Sequence, residues 1–141
     1  MTTYEQLLAD CIRWAKEAGR IQLELFRSDR LDIEAKFNDS DVVTNADKAS
    51  EKAIISEIRR AYPEHSVLSE EAGCDKRMND WLWVIDPLDG TTNYSSGLPN
   101  FCVSIGVQHK GQTVVGVVYA PYLGEIFTAV RGKGAFLNNR P

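Results

Sequence analysis

Apolar residues in the first part of the chain recur at intervals of three and four positions, which is typical of one face of an α-helix. The first such run, between Thr3 and Phe26, contains Leu7, Leu8, Cys11, Ile12, Ala15, Ala18, Ile21 and Leu25. The second begins near Thr44 or Asn45, ends before Pro63 and contains Ala49, Ala53, Ile54, Ile58 and Ala61. We therefore predict two amphipathic helices that pack on a core.

The second half of the chain consists of short apolar runs separated by turn residues, a pattern that indicates strands. The predicted strands are Ser66 to Ser69, Trp81 to Ile85, Phe101 to His109, Thr113 to Tyr119, Glu125 to Val130 and Ala135 to Leu137. The links at Lys110-Gly111-Gln112 and Pro121 to Gly124 are too short for parallel crossovers, so they favour an antiparallel meander. Early helices and late strands predict an α+β class, with two long helices packed on one face of an antiparallel sheet.

The last residues predict a tight turn. Asn138-Asn139 tolerates the positive φ angles of a hairpin, and only Arg140 and Pro141 follow it. We expect the natural protein to continue beyond Pro141, so that residues 1–141 are the first portion of a longer chain.

Composition excludes several classes of protein. Hydrophobic residues make up 43% and charged residues 26%, which suits one globular domain. The net charge of −4 gives no electrostatic reason to expect nucleic acid or an anionic membrane as a partner. Neither a long apolar span nor a secretory signal is present, so we expect a cytoplasmic protein.

The cysteines and histidines do not indicate a disulfide framework or a zinc site. Cys11, Cys74 and Cys102 are widely separated and form no CxxC pair. Cys11 and Cys102 fall in apolar patterns, where free cysteine usually acts as a small buried residue. His65 and His109 have no companion ligand at a suitable spacing, so we interpret both as structural.

The strongest chemical signal is an acidic motif directly after an apolar strand. It runs Trp83-Val84-Ile85-Asp86-Pro87-Leu88-Asp89-Gly90-Thr91-Thr92-Asn93-Tyr94. Asp86 ends the strand and Asp89 follows three residues later, so two carboxylates can face one point, and Mg²⁺ is usually held by one or two carboxylates with water and substrate phosphate. Gly90-Thr91-Thr92 opens a helix whose free amides favour an anion. The alternative is an Asp-Pro-x-Asp-Gly turn in which Thr92 only caps a helix.

Two further acidic segments can join this motif. Glu70 and Glu71 follow a predicted strand and offer a third metal ligand from Glu70, although adjacent glutamates are usually a solvated loop. Thr44 and Asp47 resemble a helix capping box. Alternatively, Asp47 accepts a hydrogen bond from the Thr91 hydroxyl, which then orients a water molecule for attack on phosphorus.

Four segments, in this order and spacing, resemble the inositol monophosphatase family. They are Asp41 to Asp47, Ser69-Glu70-Glu71, Trp83 to Tyr94 and Gly97 to Gly106. The resemblance covers nearly the whole chain and implies the N-terminal half of the αβαβα sugar phosphatase fold. Residues 1–141 would form the metal-binding domain, and a C-terminal α/β domain would lie beyond them. Thr92-Asn93-Tyr94 is more similar to the inositol phosphatase branch than to the nucleotide bisphosphate branch.

The resemblance also implies roles for individual residues. Glu70, Asp86 and the Leu88 carbonyl would hold one Mg²⁺, and Asp86 with Asp89 a second, for which the family has a further aspartate beyond Pro141. The implied catalytic residues are Asp47, Thr91 and Glu70. The implied phosphate-binding residues are Asp89, Gly90, Thr91 and Thr92. A mobile loop that carries Lys36 would close over the metals.

The function implied is Mg²⁺-dependent hydrolysis of a phosphate monoester of a polyol or sugar, inositol 1-phosphate first, by activated water. The family is lithium-sensitive and usually dimeric, so the expected partners are a small phosphate monoester and a second subunit, with no nucleic acid or membrane. A fructose 1,6-bisphosphatase or a nucleotide bisphosphate phosphatase is the alternative enzyme. The alternative from another class is an inert truncated module with a regulatory or binding role.

Overall fold

The computed structural model describes residues 2–35, 42–69, 73–74 and 79–141. The helices are α1 (Tyr4–Leu25), α2 (Asn45–Ala61) and α3 (Thr91–Ser95). The strands are β1 (Ile33–Ala35), β2 (Val42–Thr44), β3 (Ser66–Ser69), β4 (Gly73–Cys74), β5 (Trp81–Asp89), β6 (Cys102–His109), β7 (Gln112–Ala120), β8 (Glu125–Val130) and β9 (Ala135–Leu137). The two predicted helices therefore begin and end within a residue or two of the expected positions.

Seven strands form one mixed sheet in the order β4-β3-β5-β6-β7-β8-β9, and β1 pairs with β2 separately. Every neighbouring pair from β5 to β9 is antiparallel, as the short links predicted. One pair departs from the antiparallel pattern, because β3 runs parallel to β5, with Ser69 beside Ile85. The predicted α+β class with two helices on a sheet is confirmed. The parallel pair matters for the site, since β3 ends beside Ile85, the residue that precedes Asp86.

The core lies between the two long helices and the sheet. α1 packs over β6 and β7, and α2 packs over β5. The largest fully buried core side chains include Leu7, Ile54, Trp83 and Ile105, so the core joins α1, α2, β5 and β6. Burying each such side chain contributes about 1.5–3 kcal/mol, and this packing fixes the end of β5 relative to both helices.

His65 is part of a stack of rings at the edge of the core. Its ring lies against Tyr62 at 4.8 Å and against Trp81 at 5.5 Å, and His109 stacks on the other side of Trp81 at 3.9 Å. The indole Nε1 of Trp83 donates to Nδ1 of His65 at 3.0 Å. Burial, aided by the charge of His109 and opposed by Glu64, lowers the pKa of His65. The neutral ring therefore fits this position as an acceptor.

The predicted turn after β9 is present. Asn138 and Asn139 have φ angles of 49° and 68°, and the backbone groups of Leu137 and Arg140 hydrogen bond to each other across the turn. In the part of the chain described above, no helix is both long and apolar enough to cross a membrane.

Candidate metal and phosphate site

The two aspartates of the acidic motif lie on β5 itself. We predicted that this strand ends at Ile85, but β5 continues to Asp89. Asp86 is opposite Ser104 on β6 and Asp89 is opposite Cys102, with an irregularity in the register between them. The apolar pattern stops at Asp86, whereas strand pairing resumes after Pro87, and that is why the sequence placed the end too early. The irregularity brings two acids to the end of one strand.

The Cys102 thiol is affected by the carboxylates of both Asp86 and Asp89. Its thiol Sγ donates to Oδ2 of Asp89 at 3.8 Å. Burial, followed by the negative charges of Asp89 and Asp86, raises the pKa of the Cys102 thiol to about 11. Both acids therefore act on the same half-buried position, and the thiol stays protonated at neutral pH. We had treated Cys102 only as an apolar strand residue, and the cross-strand register is what places it beside Asp89.

Gly90 starts the short helix α3 with a backbone that favours glycine. Its φ and ψ angles are 87° and 36°, in the left-handed region, and a Cβ there would lie 2.7 Å from the carbonyl oxygen of Asn100. The Tyr94 amide donates to the Gly90 carbonyl at 2.9 Å, so the helix begins where the sequence predicted. Thr92 does not cap it, because Gly90 is the N-cap and makes no side-chain capping bond. Amides of a first helical turn have no acceptor within the helix.

Asp47 and Thr91 are joined by the predicted hydrogen bond. The Thr91 hydroxyl donates to Oδ2 of Asp47 at 2.8 Å and lies 3.1 Å from the Leu88 carbonyl oxygen. Oδ1 of Asp47 accepts from the Thr44 amide at 2.8 Å and from the Thr44 hydroxyl at 2.6 Å. Asp47 is buried, with 5% of its surface exposed. The capping box and the contact with Thr91 therefore coexist, as both interpretations of Asp47 allowed.

Gln22 contacts the backbone of the candidate site and is not among the residues predicted from the sequence. It is fully buried on α1, and its Nε2 donates to the Pro87 carbonyl at 2.6 Å and to Ser50 Oγ at 3.1 Å. The predicted helix face contained Ile21 instead, which is only half-buried. Gln22 lies four residues after Ala18, so the helical spacing already placed it on the core face. Its polar side chain led us to omit it.

Several predicted residues lie outside the described part of the chain, namely Lys36, Asp41, Glu70 and Glu71. The described residue nearest to Glu70 is Ser69, which ends β3, is buried, and donates from its hydroxyl to Glu51 on α2 at 2.8 Å. Within the described ranges, no set of three or more His, Cys, Asp or Glu side chains is arranged to hold a metal ion. The described candidates for metal donors are thus Asp86, Asp89 and the Leu88 carbonyl.

This donor set has the chemistry that a hard cation requires. Carboxylate and carbonyl oxygens are the ligands that Mg²⁺ and Mn²⁺ prefer, and Mg²⁺ needs only one or two protein carboxylates. Asp89 is exposed, whereas Asp86 is half-buried and its Oδ1 atom is enclosed by the protein. The donor chemistry of these residues therefore fits Mg²⁺, which can take water and phosphate as its remaining ligands.

Comparisons with known proteins agree with this geometry. The family model described as "Inositol monophosphatase family" matches residues 3–141. A protein of Pasteurella multocida named Nus factor SuhB is 50% identical over 135 residues, which cover 94% of this chain and 50% of that protein. The chain thus spans about half the length of the curated relatives it matches.

Solved structures give the same result. The inositol monophosphatase from Anabaena is 39% identical with a TM-score of 0.82, and the match covers 99% of this chain and 50% of that one. A structure described as an IMPase/NADP phosphatase complexed with Mg²⁺ and phosphate is 27% identical with a TM-score of 0.86, covering 97% of this chain and 52% of that one.

Proposed function

We propose, because this chain belongs to the inositol monophosphatase family, that it forms the metal-binding and phosphate-binding part of a Mg²⁺-dependent phosphate monoesterase. The observation that carries the proposal is the hydrogen bond from Thr91 to buried Asp47. This bond lies next to the Leu88 carbonyl, and Leu88 lies between Asp86 and Asp89 at the end of β5. A carboxylate that only completed the capping box of α2 would not need the second donor that Thr91 supplies from another helix.

Three donors of this chain would hold the ions: the carboxylates of Asp86 and Asp89 and the Leu88 carbonyl. Glu70 is proposed as a further ligand, supported by the parallel register of Ser69 with Ile85, because Glu70 follows Ser69 in the chain as Asp86 follows Ile85. Mg²⁺, when bound, polarises phosphoryl oxygens and makes water a better nucleophile. The related IMPase/NADP phosphatase structure, which contains Mg²⁺ and phosphate, supports this choice of cofactor.

Thr91 and Asp47 would orient the attacking water. A hydroxyl has one hydrogen, and the carboxylate of Asp47 is the stronger acceptor for it than the Leu88 carbonyl. With its hydrogen directed to Asp47, Thr91 Oγ1 keeps lone pairs that can accept a hydrogen bond from water. Water then attacks phosphorus, the ester P–O bond breaks, and the alcohol leaves with a proton, without a covalent intermediate on the protein.

The phosphate would lie at the start of α3. Gly90, Thr91 and Thr92 would supply backbone amides, and the close approach of Gly90 to Asn100 leaves no space for a side chain at that position. We propose a polyol or sugar phosphate as substrate, inositol 1-phosphate first, supported by the name of the Anabaena relative. A fructose 1,6-bisphosphate or a nucleotide bisphosphate is the alternative. Lithium sensitivity, a homodimer and residues 1–141 as a metal-binding domain remain predictions of the resemblance.

The test is metal-dependent phosphate release from these substrates by the protein as its gene encodes it. We expect release with Mg²⁺, loss of release after the metal is removed with a chelator, and recovery when Mg²⁺ is added back. Inositol 1-phosphate should be hydrolysed faster than fructose 1,6-bisphosphate and a nucleotide bisphosphate. A rate of phosphate release that the chelator does not lower would contradict the proposal.

One comparison favours a second candidate function. The Pasteurella multocida relative is named a Nus factor, which suggests a binding role that needs no turnover. Phosphate release at the background rate, equal in the wild type and in Asp89→Asn, would favour this second function over the first.

A further inference from the structure

Gln22 occupies a position in the core where an amide is not needed for packing. It lies on α1 and is fully buried. Its Oε1 is buried and has no hydrogen-bond partner among the residues that the structure describes. An unpaired buried acceptor destabilises a fold, and an apolar side chain of similar length would fill the same space without that loss. The physical gain from Gln22 must therefore come from its donor group.

That donor group faces the irregular part of β5. Pro87 and Leu88 have no partner in the register with β6, which pairs Asp86 with Ser104 and resumes only at Asp89. Such an irregularity interrupts the ladder of hydrogen bonds and re-aims the side chains around it. The Gln22 amide donates to the Pro87 carbonyl at 2.6 Å, so it replaces a ladder donor at this point.

The orientation of the Gln22 amide follows from its partners. A carbonyl oxygen only accepts, so Nε2 and not Oε1 must face Pro87. The same Nε2 lies 3.1 Å from Ser50 Oγ on α2, and the backbone carbonyl of Gln22 accepts from the Tyr94 hydroxyl at 2.7 Å. Gln22 thus connects α1 to α2, to α3 and to the residue between the two proposed metal ligands Asp86 and Leu88.

We propose that Gln22 is a positioning residue for the metal donors at the end of β5, an inference that rests on the proposed function. By fixing the Pro87 carbonyl, it sets the direction of the peptide groups on either side, and with them the Asp86 carboxylate and the Leu88 carbonyl. Gln22 touches neither metal nor substrate. It acts through the backbone of β5.

The test compares Gln22→Met, which keeps an unbranched side chain but removes the donor, with two controls. Ser50→Ala removes the other partner of the same amide, and Ile54→Val loosens the core at a fully buried apolar position one turn further along α2. Unfolding in urea reports the stability of each purified chain, and Mn²⁺ titration followed by electron paramagnetic resonance reports metal affinity under folded conditions. We expect Gln22→Met to lower Mn²⁺ affinity by about 10-fold or more, as loss of a supporting hydrogen bond commonly does, with both controls unchanged.

A second readout needs no metal. In the metal-free chain, amide hydrogen exchange at Leu88 to Thr91 should be faster in Gln22→Met than in the wild type, while the amides elsewhere in the sheet exchange at the wild-type rate. Ser50→Ala should not accelerate exchange at Leu88 to Thr91. If both Mn²⁺ affinity and this exchange match the wild type in Gln22→Met, the positioning role is wrong while the proposed function stands. If exchange accelerates but the wild type binds no Mn²⁺, the proposed function is wrong while Gln22 still holds the strand end.

Discussion

Asp86→Asn is expected to cause the largest loss of metal affinity and of phosphate release. Asparagine has almost the same size as aspartate, so β5 and its pairing with Ser104 can be kept, while one negative charge and one strong oxygen ligand are lost. Losing an outer-shell partner of a metal ligand lowers metal affinity or activity by about 10–100-fold. Because Asp86 would serve two ions directly, its loss should lower both Mn²⁺ affinity and the rate of phosphate release by more than about 100-fold. Mn²⁺ titration and Mg²⁺-dependent phosphate release check this prediction.

Asp29→Asn is the matched control for the change of charge. Asp29 is exposed in the segment after α1 and lies away from β5 along the chain, so its substitution should leave Mn²⁺ affinity at the wild-type value. Asp86→Asn with unaltered Mn²⁺ affinity, in a chain that retains its circular dichroism spectrum, would remove Asp86 from the proposed metal site.

Thr91→Val should separate metal binding from hydrolysis. Valine has the shape of threonine but no hydroxyl, so both the hydrogen bond to Asp47 and the hydroxyl oxygen that would accept one from water are lost. The proposed metal donors Asp86, Leu88 and Asp89 are left in place. We expect phosphate release to fall by about 100-fold or more, in the range that general acid–base groups contribute. Mn²⁺ affinity should stay close to the wild-type value.

Two further variants serve as controls for Thr91→Val. Thr91→Ser keeps the hydroxyl and should recover most of the rate, whereas Thr113→Val makes the same substitution on an exposed part of β7 and should have no effect. Equal rates for Thr91→Val and Thr91→Ser would show that the hydroxyl has no part in hydrolysis.

The elements of the fold were predictable because their apolar spacing is regular. β3, β8 and β9 coincide with the predicted strands, and α1 differs from the predicted run by one residue at each end. The path of β5 beyond Ile85 was not predictable in this way. Asp86 breaks the apolar run and Pro87 lacks an amide, so local pattern indicates a strand end. Only the pairing of Asp89 with Cys102 on another strand shows that β5 continues.

The candidate site was predictable where chemistry and local spacing coincide. Asp86, Asp89 and Gly90 fall in one short motif, and the contact between Asp47 and Thr91 matched the expectation from the resemblance. Gln22 was missed for the opposite reason. The helical spacing places Gln22 on the core face, but its contact with Pro87 spans 65 positions of the sequence and cannot be inferred from local pattern.

The most direct test of a cation site at the end of β5 is paramagnetic broadening of amide resonances by Mn²⁺ in the isotope-labelled chain. Small additions of Mn²⁺ should broaden the amide resonances of Asp86 and of Leu88 to Thr91 first. The amides of β9, across the sheet from β5, should stay sharp. Broadening that is uniform, or that is centred on other acidic residues while these amides remain sharp, would show that the end of β5 is not a cation site.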